Sequence, residues 1–163
     1  MKDMRPGYKI EVKGVQDLDR FSDLFLYHLK NAGKSAGDRA VVVGLSGNLG
    51  AGKTTFSQLV AKRLGIDEVV TSPTFVIQKT YQTTDPDFTD FVHIDGYRLE
   101  GGEELLTLNF KATVNQGKRL VFIEWPEKVM SALPAGTYFL SFTFVDEDTR
   151  MIEYKESIST DFV

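Results

Sequence analysis

The stretch Gly47-Asn48-Leu49-Gly50-Ala51-Gly52-Lys53-Thr54 fits the pattern G-x-x-x-x-G-K-[ST], and both of its flanks have the form that a phosphate-cradling loop requires. Ahead of it, Ala40-Val41-Val42-Val43-Gly44-Leu45 is short, unbroken and β-branched, as expected of a strand covered on both faces in a parallel sheet. Behind it, Phe56, Leu59, Val60 and Leu64 recur at helical spacing, with Gly65 placed to stop the helix. Glycine lets successive N–H groups turn inward around phosphate oxygens, and the N-terminus of the following helix adds partial positive charge. The backbone of Asn48, Leu49, Gly50, Ala51 and Gly52 would form the cradle. Lys53 would reach the β- and γ-phosphates, the Thr54 hydroxyl would ligate Mg²⁺, and Thr55 would extend the ring of donors. At ordinary residue frequencies a chain of this length matches the pattern by accident less than about once in a hundred. Nucleotide binding is therefore the first expectation.

Two carboxylates downstream extend it. The run Phe88 to Ile94 leads into Asp95, at the strand end where sites in α/β sheets lie. Asp95 is read as holding Mg²⁺ or orienting an attacking water, with turn capping as the structural alternative. Leu120-Val121-Phe122-Ile123-Glu124 is an apolar strand closed by a carboxylate, the Walker B arrangement with Glu in place of the more usual Asp. Burying that carboxylate without a cation would be costly, so Glu124 is expected at the Mg²⁺ site, directly or through water. His93 shares the side-chain parity of Asp95 but is read as a packing residue, as is Trp125. Arg98 reads equally as a phosphate-stabilising and as a surface or carboxylate-pairing arginine. The bend Val69 to Phe75 carries Pro73 among several hydroxyls. It reads either as a strand entry or as a switch-like loop presenting Thr74 to the γ-phosphate and metal.

The 163 residues suit one domain, expected over 1–156, with 157–163 as a frayed tail. Absence of cysteine excludes disulfides, thiol catalysis and thiolate metal sites, and two histidines argue against a zinc cluster. No apolar run approaches the ~20 residues needed to span a bilayer, and the N-terminus leads into no signal segment, so a cytoplasmic protein away from membranes is expected. A net charge of -4 gives no general attraction for nucleic acid. DNA is not expected as a partner, any RNA would be held mainly by another protein, and Lys62-Arg63 and Lys118-Arg119 read as solvated ends. Leu18, Phe21, Phe25 and Leu29 predict a helix from Asp17 towards Gly33, followed by a surface loop over Asn31 to Asp38. Phe75 to Tyr81 and Phe88 to Ile94 suit an antiparallel pair, and Glu103 to Leu108 a short helix before the turn Asn115-Gln116-Gly117. Tyr138 to Val145 and Arg150 to Tyr154 suit a hairpin, with Arg150 at the turn exit read as a surface residue within reach of a base or phosphate. The sum is an α/β fold of P-loop NTPase type: three layers around a mixed, mostly parallel central sheet, with antiparallel hairpin strands at its end.

With these residues in place the chain resembles the bacterial TsaE family, formerly YjeE, over nearly its whole length. Four stretches carry the resemblance in order: Gly47 to Thr55 as G-x-L-G-A-G-K-T-T, Ser72 to Phe75 as S-P-T-F, His93 to Leu99 as H-x-D-x-Y-R-L, and Glu124-Trp125-Pro126 as E-W-P. The resemblance implies an ATPase of tRNA threonylcarbamoyladenosine synthesis. Lys53 and Thr54 would hold Mg-ATP, Thr74 would belong to a switch-like loop, and Asp95 and Glu124 would act at the metal and water. It also implies two partners, TsaD and TsaB, with tRNA met only through their complex. Two departures stand out. Gly96 sits where a larger apolar residue is expected, which would loosen Asp95, and Leu108-Asn109-Phe110 replaces a glycine-containing turn.

Two other readings remain open on the residues alone. In one, ATP occupancy rather than turnover gates docking to a partner. In the other, the chain is a P-loop small-molecule kinase, against which stands the lack of a lid segment bearing several arginines.

Overall fold

Four apolar runs form the parallel centre of the sheet, and the loop of interest leaves one of them. In the computed structural model, which describes residues 4–71 and 77–156, the strands are β1 (Lys9–Lys13), β2 (Val41–Ser46), β3 (Gln78–Gln82), β4 (Asp90–Asp95), β5 (Arg119–Glu124), β6 (Tyr138–Phe144) and β7 (Thr149–Glu156). They make a seven-stranded sheet in the order β1-β7-β6-β2-β5-β4-β3. β2 pairs parallel with β5 and β6, and β4 parallel with β5. Antiparallel pairing adds β3 at one edge, through β4, and β7 and β1 at the other, through β6. The sheet is mixed as expected, and its antiparallel strands stand at both edges.

The helices are α1 (Gly14–Ala36), α2 (Lys53–Arg63), α3 (Gly102–Thr107) and α4 (Phe110–Val114), with two short 3₁₀ turns at Pro126–Lys128 and Met130–Ala132. α1 and α2 cover one face over an aromatic-rich core that includes Phe21, Phe25, Phe56, Phe91 and Phe122. Leu105 of α3 and Phe110 of α4 cover the other, over a smaller aliphatic cluster containing Val42, Val92, Ile94, Val121 and Ile123. α2 ends as its sequence predicts. Gly65 has φ 79°, and the Gly65 and Ile66 N–H groups return to Lys62 O and Ala61 O, each at 3.1 Å. No helix among the described residues is long and apolar enough to cross a membrane.

Several expectations change. The helix before β2 runs on to Ala36, so the surface loop expected from Asn31 is largely helical. Ala36 packs against the core, and Gly37, with φ 64°, rather than Gly33, stands at the break. Packing there outweighs the weak helix propensity of Gly33 and Ser35. β1 was not expected, although Tyr8, Ile10 and Val12 alternate with charged residues. α4 was also missed: Asn109 adopts φ 62° and supplies the left-handed turn for which a glycine had been expected. Arg63 is no solvated end, since it reaches Asp19 at 3.0 Å, Asp23 at 3.1 Å and Ser22 Oγ at 3.1 Å, tying α2 to α1. Arg119 likewise lies half-buried, 3.5 Å from Asp90. The Ser72 to Phe75 stretch, with the role expected of Thr74, and the tail 157–163 lie outside the described residues.

Candidate functional site

The loop between β2 and α2 opens at the C-terminal edge of the parallel strands. Gly47, Gly50 and Gly52 have φ of 143°, 77° and 101°, values that L side chains avoid. At Gly47 a Cβ would also stand 2.6 Å from Phe142 O. Asn48 O accepts the Ala51 N–H at 3.1 Å and closes the turn. Phe56 N–H is bonded to Gly52 O at 2.9 Å, while the N–H groups of the preceding turn lie at the helix N-terminus, as an anion site requires. Leu49 to Thr55 line a cleft of about 320 Å³ together with Asp95, Tyr97, Glu124 and Trp125.

Register brings the two carboxylates together. Asp95 and Glu124 are the last residues of β4 and β5 and are direct cross-strand partners. Glu124 also stands opposite Leu45, one residue before the end of β2. Both carboxylates are buried, at 7% and 3% exposure, so each needs compensation. Glu124 Oε1 accepts the Thr54 hydroxyl at 3.2 Å, and Oε2 lies 3.3 Å from His93 Nε2. Burial alone would raise the Glu124 pKa. His93, Lys53 and the Thr54 hydroxyl outweigh it, and the carboxyl sits below its ordinary value. Asp95 Oδ1 accepts the Tyr97 N–H at 2.9 Å, which fixes the carboxylate and the turn after β4.

Lys53 is 5% exposed. Its ammonium donates to Gly47 O at 2.6 Å and lies 3.9 Å over the Trp125 ring. Burial pulls its pKa below the usual lysine value, against the attraction of Glu124, Glu127 and Asp95. Trp125, at φ 59°, is thus a neighbour of the loop lysine rather than a plain core residue. Gly96 does not loosen Asp95. Its N–H donates to Glu124 O at 2.8 Å, and a Cβ there would meet Glu124 O at 2.9 Å and Trp125 O at 3.1 Å. The close backbone approach that pins the two strand ends needs glycine.

The structure therefore gathers Lys53, Thr54, Asp95 and Glu124 in one cleft, while Arg98 is exposed and does not line it. Sequence reasoning undervalued His93, whose partner is Glu124 rather than Asp95. Its parity was legible, but its reach across to β5 was not. The chemistry of the cleft suits Mg²⁺, since the Thr54 hydroxyl and the Glu124 and Asp95 carboxylates are all hard oxygen donors. No group of three or more His, Cys, Asp or Glu residues suited to a metal occurs among the described residues.

The family model described as "Threonylcarbamoyl adenosine biosynthesis protein TsaE" matches residues 24–154. Curated proteins named tRNA threonylcarbamoyladenosine biosynthesis protein TsaE are similar to the chain. That of Borreliella burgdorferi is 34% identical over 137 residues, covering 83% of this chain and 89% of the relative. That of Treponema pallidum is 37% identical over 111 residues, covering 68% and 78%. That of Streptomyces coelicolor is 41% identical over 93 residues, covering 56% of this chain and 59% of the relative. The crystal structure of Bacillus subtilis YdiB shares the fold, with a TM-score of 0.64 at 24% identity, covering 99% of this chain and 92% of that one.

Proposed function

The chain belongs to the TsaE family, and from that premise we propose that it is a cytoplasmic Mg²⁺-dependent ATPase serving tRNA threonylcarbamoyladenosine synthesis through a complex of TsaD and TsaB. One observation carries the ATPase reading: the Thr54 hydroxyl and Glu124 carboxylate, 3.2 Å apart, converge with Lys53 and Asp95 at the mouth of a glycine loop. That is the donor set of an in-line attack of water on a γ-phosphate.

Each residue has a task. The loop N–H groups and the α2 N-terminus bind phosphate oxygens. Lys53 leaves Gly47 O for the phosphates and stabilises charge that grows in the transition state. Thr54 and Glu124 hold the metal side, with His93 behind Glu124 keeping its carboxylate ionised. Asp95, fixed by the Tyr97 N–H, orients the attacking water. Thr54 and Glu124 would hold Mg²⁺, which would supply positive charge to offset that of the phosphates.

Partner docking has its own support. Leu49 and Tyr97 line the cleft yet are 79% and 46% exposed. Apolar side chains at the mouth of a nucleotide site suit a protein that senses what the site holds. The test is phosphate release from Mg-ATP by the purified chain, alone and with the matching TsaD and TsaB proteins. Weak release that rises with the partners is expected. ATP binding with release indifferent to them would replace turnover by nucleotide-gated docking, and a phosphorylated small molecule in place of free phosphate would revive the kinase reading.

A further inference from the structure

The residues assigned to the triphosphate leave the nucleoside unaccounted for. Glu124 and Asp95 lie on the β5 and β4 side of β2, whereas β6 is its neighbour on the other side. The terminal phosphate and metal belong with the carboxylates. A nucleotide lying along the loop therefore carries its nucleoside the other way, towards the turn between β6 and β7.

An organised surface stands there. Arg150 Nη2 donates to Gly50 O of the phosphate loop at 3.2 Å, and Nη1 to Asp146 O at 2.6 Å and Thr149 O at 3.0 Å. Its guanidinium lies 4.7 Å from the centre of the Phe144 ring. Three carbonyls fix the arginine plane, so it is not the free surface charge that its place in the sequence suggests. Phe144 is 60% exposed and Val145 48%, which leaves an aromatic ring largely in water beside a binding loop.

The geometry points to a base-stacking shelf, in which Phe144 and Arg150 carry the purine ring of the bound nucleotide. This assignment rests on the triphosphate reading of the loop. Aromatic and guanidinium planes both stack on bases. Arg150 is a donor-only group with both terminal nitrogens already committed to backbone carbonyls, which leaves little to read a base edge. The shelf therefore adds affinity for adenine and guanine nucleotides alike and none for a bare phosphate chain.

The test is equilibrium binding of ATP, GTP and inorganic tripolyphosphate, each with Mg²⁺, to the full chain and to Phe144→Ala, Arg150→Ala and Arg150→Lys. Phe144 is exposed, so its truncation leaves the fold intact, and Arg150→Lys keeps the charge while losing the plane. All three variants should bind both nucleotides about tenfold more weakly and tripolyphosphate as the parent does. Equal losses for tripolyphosphate would make Arg150 only a brace of the phosphate loop and overturn the shelf, as would unchanged nucleotide affinity. A parent chain that binds none of the three would remove the triphosphate reading, and the shelf with it.

Discussion

Strands β4 and β5 present two faces built to different ends. Towards α2 they turn Phe91, His93 and Asp95, and Leu120, Phe122 and Glu124; towards α3 and α4 they turn Val92 and Ile94, and Val121 and Ile123. The second face is aliphatic to its end. The first begins as an aromatic core and finishes in buried ionisable groups that need partners to be tolerated. Successive side chains of one strand alternate between these faces, so a single residue separates a position that holds the fold from one that holds a charge. In the proposed function the charged end of the α2 face does the chemistry, and the opposite face is its rigid backing.

Substitutions on the two faces should therefore fail in different ways. Lys53→Ala should have the largest effect, weakening ATP binding about a thousandfold while thermal unfolding changes little, because it removes the buried cation proposed to meet the phosphates. Calorimetric titration with Mg-ATP checks this. Ile123→Ala, fully buried on the aliphatic face, should cost about 3 kcal/mol of stability and leave turnover per folded molecule unchanged. Denaturant unfolding paired with a phosphate assay separates the two quantities, and a turnover defect without lost stability would break the contrast.

Gly96→Ala should act on both, since its Cβ would press on the Glu124 and Trp125 carbonyls. A loss of about 1–3 kcal/mol with reduced turnover is expected from the same pair of measurements.

The smallest effect is in acid. The Glu124 pKa is lowered in the folded chain. Its contribution to stability is therefore present above the unfolded-state value and is lost as pH falls through the lower, folded-state value. Melting temperatures taken from neutral to acid pH should fall more steeply for the parent than for Glu124→Gln. Comparing the two chains removes the parallel contribution of Asp85, whose pKa is also lowered: burial opposes the shift, but Lys30 and the Asp87 and Phe88 N–H groups outweigh it.

The strand–glycine loop–helix unit and the placement of both carboxylates at strand ends were legible because the glycines fall at fixed spacings and apolar runs mark the strands they terminate. Long-range packing was less so. The last turn of α1 persists through Gly33-Lys34-Ser35 because tertiary contact overrides propensity, and Asn109 takes a conformation for which only a glycine had been expected. At Gly96 the sequence suggested slack where the backbone is tightly apposed. The partners of His93, Trp125 and Arg150 depend on how neighbouring strands and turns approach one another, and no local pattern encodes that distance.

The central claim is that Glu124 serves chemistry at a site whose phosphate grip lies elsewhere. The direct measurement is ATP affinity and phosphate release by Glu124→Gln, both in the presence of the TsaD and TsaB proteins. Affinity close to the parent's with release lowered about a hundredfold is the predicted result. Release at the parent's rate would contradict it and remove Glu124 from the hydrolytic site.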